Sequence, residues 1–267
     1  MKKTWIWILA VLITLAVSSH QRRSGPTYPK RLRLDHQGTN IPFTLPRSHS
    51  SSRPCRIRLD FPEPLVGRLI YRRYPTDAPW DTLDFTRSEG MLIADLPPQP
   101  PAGKIEYQVQ VSSGDDVLRI PGTEWTVIRF RGDVPAWLLV PHIAFIFAAM
   151  LLSSATGLMA LAGMDGLRKW TGWTLALFVI GGLVLGPLVQ KFAFGAFWSG
   201  WPVGRDLTDN KVLISLVFWL LAWTANHRKA HRWPVILAAL VMLAVFLIPH
   251  SRNGSQLDYT TGRVETR

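Results

Sequence analysis

Cysteine is almost absent from this chain, which has Cys55 as its single thiol among 267 residues. One cysteine excludes an internal disulfide and any zinc site built on several cysteines. The chain also lacks a Gly-rich phosphate-binding loop and a GxSxG nucleophile elbow. The sequence therefore predicts neither a P-loop NTPase nor an α/β-hydrolase, and we assign no catalytic residue.

Acidic residues are also scarce, with 18 Asp and Glu against 30 Lys and Arg and a formal net charge of +12. Such an excess of positive charge is typical of nucleic-acid-binding proteins, but no recognition motif accompanies it here. Because the chain contains several long apolar runs, Lys and Arg that flank membrane spans explain the charge. We expect no nucleic-acid partner.

The N-terminal region has the pattern of an export signal. Lys2 and Lys3 precede the 13-residue apolar run Trp5–Val17, and Ala16 and Ser18 have the spacing that a signal peptidase accepts. Residues 1–19 are therefore predicted to be a signal peptide. A short uncleaved anchor is the alternative, because 13 residues rise only about 20 Å as a helix. Residues 20–54 are rich in Ser, Pro and Arg, which predicts a basic disordered linker.

In the segment that follows residue 54, apolar residues recur at every second position. The stretches "CRIRLDF" and "KIEYQVQV" alternate polar and apolar residues, and Pro and Gly turns lie between them. Residues 55–133 therefore predict a small exported β-sandwich.

Within that segment, "LIADLPPQPPAGKIEYQVQV" (Leu92–Val111) resembles the corner of a fibronectin type III or immunoglobulin-like domain. Leu96, Gly103 and Tyr107 would be the corner leucine, the turn glycine and the corner tyrosine. The resemblance covers only residues 55–130, and the cysteine pair of true immunoglobulin domains is missing. It implies an immunoglobulin-like fold that binds partners, and it implies no chemistry.

Residues 134–250 predict four transmembrane helices, at about 137–162, 171–192, 210–226 and 233–249. The last two contain apolar runs of only 14 residues, which interfacial Trp and polar residues extend. Gly181, Gly182 and Gly186 provide small faces for close helix packing. The predicted fold class is a membrane protein with an exported small β-sandwich followed by a four-helix transmembrane bundle.

The connecting loops predict the orientation in the plasma (inner) membrane. The loops between the first and second and between the third and fourth spans are rich in Arg and Lys, so the positive-inside rule makes them cytoplasmic. The β-sandwich and the polar C-terminal tail, residues 251–267, are then on the periplasmic or extracytoplasmic side.

With that topology, polar residues from distant parts of the chain converge at the outer face. We expect an outer-face polar cap made of Lys191, Arg205, Asp206, Asp209, Asn210, Lys211, Ser251, Ser255, Asp258 and Tyr259. Simpler roles compete with this one. Asp206 or Thr208 can cap the next helix, and the tail can form a tight turn.

His142 and His250 also belong to this face, and they are the candidate cofactor ligands. Two imidazoles on different helices could bind haem, and imidazoles with Asp206 or Asp209 could hold a divalent metal ion. A quinone or a lipid headgroup could occupy the same polar groups. Alternatively, a backbone carbonyl or water satisfies each imidazole. The one HxxxH spacing, His227 and His231, lies in a basic loop, where contact with lipid headgroups explains it better than a metal.

The leading hypothesis is a non-enzymatic integral membrane protein of the cell envelope. Its β-sandwich binds a protein partner or ligand and packs on the polar cap, and the lipid bilayer surrounds its helices. The alternative is a membrane redox or metal protein that binds haem, metal or quinone through His142 and His250. The two hypotheses differ in whether the purified protein is coloured or contains metal.

Overall fold

The computed structural model describes residues 3–36, 38–113, 116–250, 252 and 254–265. The chain divides into two compact units. The β unit consists of Thr27–Asp133 and Gln256–Glu265, and the helical unit consists of Val134–Ser255 and the N-terminal segment up to Pro26. The boundary at Ser255 divides the C-terminal tail between the two units.

Short strands make up most of the β unit. Before Asp133 they are β1 (Lys30–His36), β2 (Thr39–Leu45), β3 (Ser48–Ser50), β4 (Cys55–Leu59), β5 (Val66–Arg73), β6 (Asp81–Asp84), β7 (Thr86–Ser88), β8 (Met91–Leu96), β9 (Lys104–Ser113), β10 (Asp116–Ile120) and β11 (Thr126–Arg131). The tail adds β12 (Gln256–Leu257) and β13 (Val264–Glu265), which pair with each other.

These strands form a mixed β-sheet region between residues 30 and 133. The largest sheet has the order β3-β11-β9-β5-β6, and β10 also pairs with β9. Strand β3 is parallel to β11, whereas the other pairs in this sheet are antiparallel. A second sheet has the order β4-β8-β7, and β1 pairs with β2 in a hairpin.

The period-two pattern explains how the β unit builds its core. In β4, Cys55, Ile57 and Leu59 are buried while the two intervening arginines are exposed, as expected for a half-buried strand. Both sheets contribute to one hydrophobic cluster. Tyr107 lies in that cluster, and its hydroxyl donates a hydrogen bond to the Pro46 carbonyl at 2.7 Å. The bond links β9 to a distant segment and not to the adjacent corner.

The prediction of a disordered linker at residues 20–54 is wrong, because β1, β2 and β3 lie there. Leu34, Phe43 and Leu45 are buried in the core of the β unit. These apolar residues alternate with Arg, Asp and Thr, so burial of one face stabilises the hairpin although the segment's overall composition is polar.

The helical unit contains the apolar segments. Its helices are α1 (Lys3–Ser24), α2 (Ala136–Leu161), α3 (Leu167–Phe178), α4 (Gly186–Phe194), α5 (Leu207–Ala225) and α6 (Arg232–Leu247), with a π-helical segment (Val179–Leu185) joining α3 to α4. Helix α2 packs against α1, α3 and α6, and α5 packs against α6.

Helix α1 is longer than the apolar run that predicted it. Its 22 residues rise about 33 Å, because the polar residues after Val17 remain helical. The hydroxyls of Thr14 and Ser18 donate to the carbonyls four residues earlier, at 2.8 and 2.7 Å, so they are satisfied inside the helix. Ile6 and Ala10 are fully buried in the core of the helical unit.

Within the described residues, four helical segments are long and apolar enough to cross a membrane: α1, α2, the continuous segment Leu167–Phe194, and α5. Helix α6 is apolar but shorter, with 16 residues. The chain therefore has the segments of a multi-pass membrane protein. The set differs from the predicted four, because α1 belongs to it and α6 falls short of the usual length.

Glycines permit the close packing of these helices. A Cβ on Gly157 of α2 would lie 2.6 Å from the Cβ of Ala239 in α6, which is too close for any side chain. Gly181 lies against Phe145 of α2, and Gly182 lies against Val212 of α5. The prediction of small packing faces at Gly181, Gly182 and Gly186 is confirmed for the first two, whereas a Cβ on Gly186 would lie 3.7 Å from the His142 ring, an ordinary contact distance.

Candidate functional site

A buried polar network lies at one end of the helical unit, where α4 ends and α5 begins. We define it as Gln190, Ser199, Asp206, Asp209, Asn210 and Ser255. One oxygen of Asp209 accepts hydrogen bonds from the backbone N–H groups of Ser199 (2.6 Å) and Gly200 (3.0 Å) and from the amide of Gln190 (3.0 Å). The Ser199 hydroxyl also donates to it at 3.2 Å. Asp209 is 5% exposed, so neutral donors surround a nearly dry carboxylate.

Asp206 connects the start of α5 to the C-terminal tail. Its Oδ1 accepts from the N–H of Thr208 at 2.7 Å, which caps α5. Its Oδ2 accepts from the backbone N–H and the hydroxyl of Ser255, at 3.0 and 3.2 Å. Ser255 is fully buried and its hydroxyl also contacts that of Ser199 at 3.2 Å. Of the two capping candidates, Asp206 and Thr208, the structure selects Asp206, which also anchors the tail.

The two residues that follow Asp209 hold neighbouring backbone. The side-chain oxygen of Asn210 accepts from the N–H of Trp201 at 2.7 Å. The Lys211 ammonium donates to the carbonyls of Ile248 and Pro249, immediately after α6 ends. A cation at a helix C-terminus interacts favourably with its unpaired carbonyls. Lys211 is only 3% exposed, and its bonds to these carbonyls fix the end of α6.

The two candidate ligand histidines lie close enough to interact electrostatically. His142 is half-buried, and its Nδ1 is 2.9 Å from the carbonyl of Gly181 in the π-helical segment. Single-turn π segments are frequent at functional sites. His250 is exposed just beyond α6 and next to Lys211. Among the described residues, no group of three or more His, Cys, Asp or Glu side chains could hold a metal ion.

The remaining predicted cap residues are not part of the network. Lys191 is exposed, and its ammonium donates to the Gly195 carbonyl at the end of its own helix (2.7 Å). Arg205 is exposed in the loop before α5. Ser251 lies outside the described residues. Asp258 and Tyr259 belong to the β unit. The structure therefore divides the predicted outer-face polar cap between two units.

In the β unit, the last part of the tail docks beside the start of β9. Tyr259 forms two hydrogen bonds with the backbone of Lys104: its hydroxyl accepts from the N–H at 2.9 Å and donates to the carbonyl at 2.8 Å. The N–H of Leu257 donates to the Ala102 carbonyl at 3.1 Å, and the Lys104 ammonium donates to the side chain of Gln256 at 2.8 Å.

The side chains at this docking point are perturbed by their surroundings. Burial, with a contribution from nearby Arg129, lowers the pKa of Lys104 to about 8. Burial also raises the pKa of Tyr259. Asp258 shapes the turn that follows, since its carboxylate accepts from the N–H of Thr260 at 2.7 Å. The tail is a folded element of the β unit.

A partly exposed stack of two tryptophans and an arginine lies elsewhere on the β unit. The rings of Trp80 and Trp125 are stacked with centroids 3.9 Å apart, and the Arg72 guanidinium lies 4.2 Å from the Trp80 centroid. Arg72 also pairs with Glu106 at 2.5 Å. Trp80 remains 39% exposed. Tryptophan and arginine are enriched at the energetic centres of protein interfaces.

Several of these residues escaped the sequence-based prediction. Ser199 and Gln190 are common polar residues with no motif around them, and only their contacts with Asp209 distinguish them. Trp80 and Trp125 are 45 positions apart and meet only through the sheet. No signal in the linear sequence identifies either pair.

Comparison of the chain with protein-family models, with curated proteins and with solved structures finds no match. The chemistry of the site is therefore inferred from its own residues.

Proposed function

We propose that the chain is a non-enzymatic multi-pass membrane protein of a cell envelope, whose β unit lies outside the cytoplasm and binds a protein partner. The observation that carries this proposal is the stack of Arg72, Trp80 and Trp125. Trp80, which is 39% exposed, stacks on the partly exposed Trp125 beside Arg72. Such a preordered aromatic pair with an arginine provides large contact area at low entropic cost.

The distribution of charge at the helix ends supports the orientation. Trp7 near the start of α1 contacts Trp170 near the start of α3, with ring centroids 5.4 Å apart. The start of α1 therefore lies at the same end as the basic loop before α3. At the other end, the Gln21 amide lies 3.4 Å from the carbonyl of Ile248. In the proposal, α1 is retained as a span and the basic end is cytoplasmic.

In the same proposal the β unit is an immunoglobulin-like sandwich. Such domains place strands B, E and D in one sheet and C, F and G in the other. The order β4-β8-β7 corresponds to B-E-D, and β5-β9-β11 corresponds to C-F-G. A hydrophobic cluster shared by both sheets also supports it.

Cysteine labelling tests the orientation. Cys55 is buried, so Cys55→Ser provides a background for single cysteines at exposed Ser88 in the β unit and exposed Ala230 in the loop after α5. A membrane-impermeant maleimide applied to intact cells should label the Ser88→Cys protein alone. If Ala230→Cys were labelled in intact cells and Ser88→Cys were not, the proposed orientation would be wrong and the opposite one would hold.

Photo-crosslinking tests the partner. A photoreactive amino acid at exposed Asp81, directly after Trp80, should capture a discrete protein in living cells, whereas the same amino acid at Ser88, on the smaller sheet, should not. The crosslink should disappear when Arg72→Ala and Trp125→Ala are added. Capture of the same protein from both positions, or of no protein from Asp81, would refute this binding surface.

Truncation tests the tail. In the proposal, the tail is a folded cap, and not only a helix exit. Deletion of the last 15 residues removes Leu257 and Tyr259 and should lower the melting temperature in mild detergent. If the truncated protein melted and expressed like the full chain, the proposal for the tail would fail.

A second candidate is a membrane redox or metal protein that uses His142 and His250. The bond between His142 and the Gly181 carbonyl favours it, because ligand histidines usually bond a carbonyl or carboxylate through their second nitrogen. An absorption spectrum with metal analysis of the purified protein distinguishes this candidate from the non-enzymatic proposal. A Soret band or stoichiometric metal that is lost in both His142→Ala and His250→Ala would establish it, and a colourless, metal-free protein would eliminate it.

A further inference from the structure

A second site lies at the opposite end of the helical unit, in the loop between α5 and α6. A buried asparagine braces this loop. The amide of Asn226 donates to the carbonyls of Ala222 and His231, both at 2.9 Å, and its oxygen accepts from the N–H of His231 at 3.0 Å. Asn226 is only 2% exposed. The three bonds close the loop and fix the backbone that carries the residues between them.

The braced loop lines an open cavity of about 600 Å³. Trp223, His227, Arg228, Lys229 and His231 line it. Arg228 and Lys229 are exposed, and no acidic side chain is among the lining residues. The cavity therefore presents two permanent cations and two imidazoles, which are the donors that bind phosphate groups.

The neighbouring loop strengthens the positive charge of this end. The Arg232 guanidinium donates to the Gly163 carbonyl at 3.2 Å, which ties the start of α6 to the loop after α2. Lys169 follows that loop, and its ammonium lies 5.9 Å from the ring of Trp170. A cationic end with tryptophans at the ends of apolar helices is typical of the membrane interface.

The two helices that the braced loop connects expose apolar side chains suited to acyl chains. Leu220, Leu221 and Leu237 of α5 and α6 expose 45%, 57% and 51% of their surface. Trp233 is 79% exposed at the start of α6. A ligand that fills the cavity with phosphate and covers these leucines must be both anionic and apolar.

We infer that this cavity binds the phosphate headgroup of an anionic phospholipid. Arg228 and Lys229 contact the phosphate, His227 and His231 donate further hydrogen bonds, and Trp223 lies at the junction with the acyl chains. Asn226 is a positioning residue. The site is separate from the polar network and does not depend on the proposed function of the β unit.

The test compares lipids on the intact protein in mild detergent. Phosphatidylglycerol should raise the melting temperature of the wild-type protein more than phosphatidylcholine does. Native mass spectrometry should show retained phosphatidylglycerol. In the double variant Arg228→Gln/Lys229→Gln, the apparent affinity for phosphatidylglycerol should fall at least fivefold, without a change in the melting temperature of the lipid-free protein.

The matched control is Arg22→Gln/Arg23→Gln, which removes the same charge from exposed residues at the other end of the helical unit. This control should retain its affinity. Equal losses in both variants would show that net charge alone attracts the lipid and would overturn the site. If inorganic phosphate raised the melting temperature as much as phosphatidylglycerol does, the cavity would be a site for free phosphate. That result would overturn the inference that it binds a lipid headgroup. If the double variant is unstable, Arg228→Lys should reduce affinity less than Arg228→Gln.

Discussion

The two units stabilise their carboxylates in different ways. In the β unit, Asp95 receives two hydrogen bonds from the Arg56 guanidinium at 2.9 and 3.0 Å, and both side chains are about half exposed. In the helical unit, Asp206 and Asp209 are each 5% exposed and accept from backbone N–H and hydroxyl groups.

Solvent explains the difference. Water screens an exposed ion pair, which typically contributes less than about 1 kcal/mol. A buried carboxylate loses its hydration by water. Hydrogen bonds from the fixed donors around it compensate for this loss, and each hydrogen bond to a charged group contributes about 1.5–3 kcal/mol. The polar network should therefore dominate the stability of the helical unit, whereas individual ion pairs should matter little in the β unit.

The largest effect is expected from Asp209→Ala. The substitution removes the acceptor of the Ser199 and Gly200 N–H groups, and it leaves the Gln190 amide with only the Ser199 hydroxyl as acceptor. The helical unit should therefore lose about 3 kcal/mol or more. Melting in detergent, followed by circular dichroism, measures the loss. Asp165→Ala, at an exposed aspartate of the same unit, is the control. Similar melting temperatures for both variants would contradict the importance of burial.

Tyr259→Phe should have the next largest effect. It removes both hydrogen bonds to the backbone of Lys104 while it keeps the ring, so the tail should bind the β unit about 1–3 kcal/mol more weakly. Hydrogen exchange of the β9 and β12 amides should accelerate, and exchange in the α helices should not change. The control is Tyr28→Phe, at a tyrosine whose ring contacts Arg31. Unchanged β9 exchange would refute the docking role.

A smaller change in the stability of the β unit should result from the titration of Lys104. Its pKa is lowered to about 8 in the folded protein, so above pH 8 the folded state releases this proton before the unfolded state does. Stability should therefore rise between about pH 8 and pH 9 and should not change with this residue below pH 7. Above pH 9 the buried Cys55 thiol, whose pKa is raised to about 11, acts in the opposite direction.

The Lys104 contribution is isolated by comparison with Lys104→Met. The difference in β9 hydrogen exchange between wild type and variant, corrected for intrinsic exchange rates, should depend on pH between 8 and 9. A constant difference across this range would show that Lys104 does not titrate there.

The smallest effect is expected at the exposed pair of Arg68 and Asp84, which are 2.7 Å apart. Arg68→Gln should change the stability of the β unit by less than about 1 kcal/mol, and added salt should reduce even that difference. Hydrogen exchange of β5 and β6 measures it. A loss as large as that of Asp209→Ala would remove the distinction between the two units.

Local patterns predicted some elements well and others poorly. The alternation of β4 and the apolar run of α2 led to the observed elements, because side-chain periodicity alone decides which face is buried. The sequence narrows the cap of α5 to Asp206 or Thr208, because capping depends only on the amides that follow. The β1–β2 hairpin was missed because its polar composition concealed the buried positions of Leu34 and Phe43.

The polar network shows the limit of such prediction. Asp206, Asp209 and Ser255 were expected to lie together, whereas Ser199 and Gln190 were not identified, and Tyr259 belongs to the other unit. A hydroxyl or an amide has no pattern of its own, and its importance depends on whether water or protein satisfies it.

The sequence by itself determined the apolar helices, the strand periodicity and the asymmetric distribution of positive charge. These properties depend on neighbours within a few residues, because helix and strand geometry places them on one face. The tertiary structure decided which carboxylates are buried, where the tail docks and which loop forms a cavity. These outcomes require contacts between distant segments, such as that of Ser255 with Asp206, and only the folded chain brings those groups within hydrogen-bonding distance.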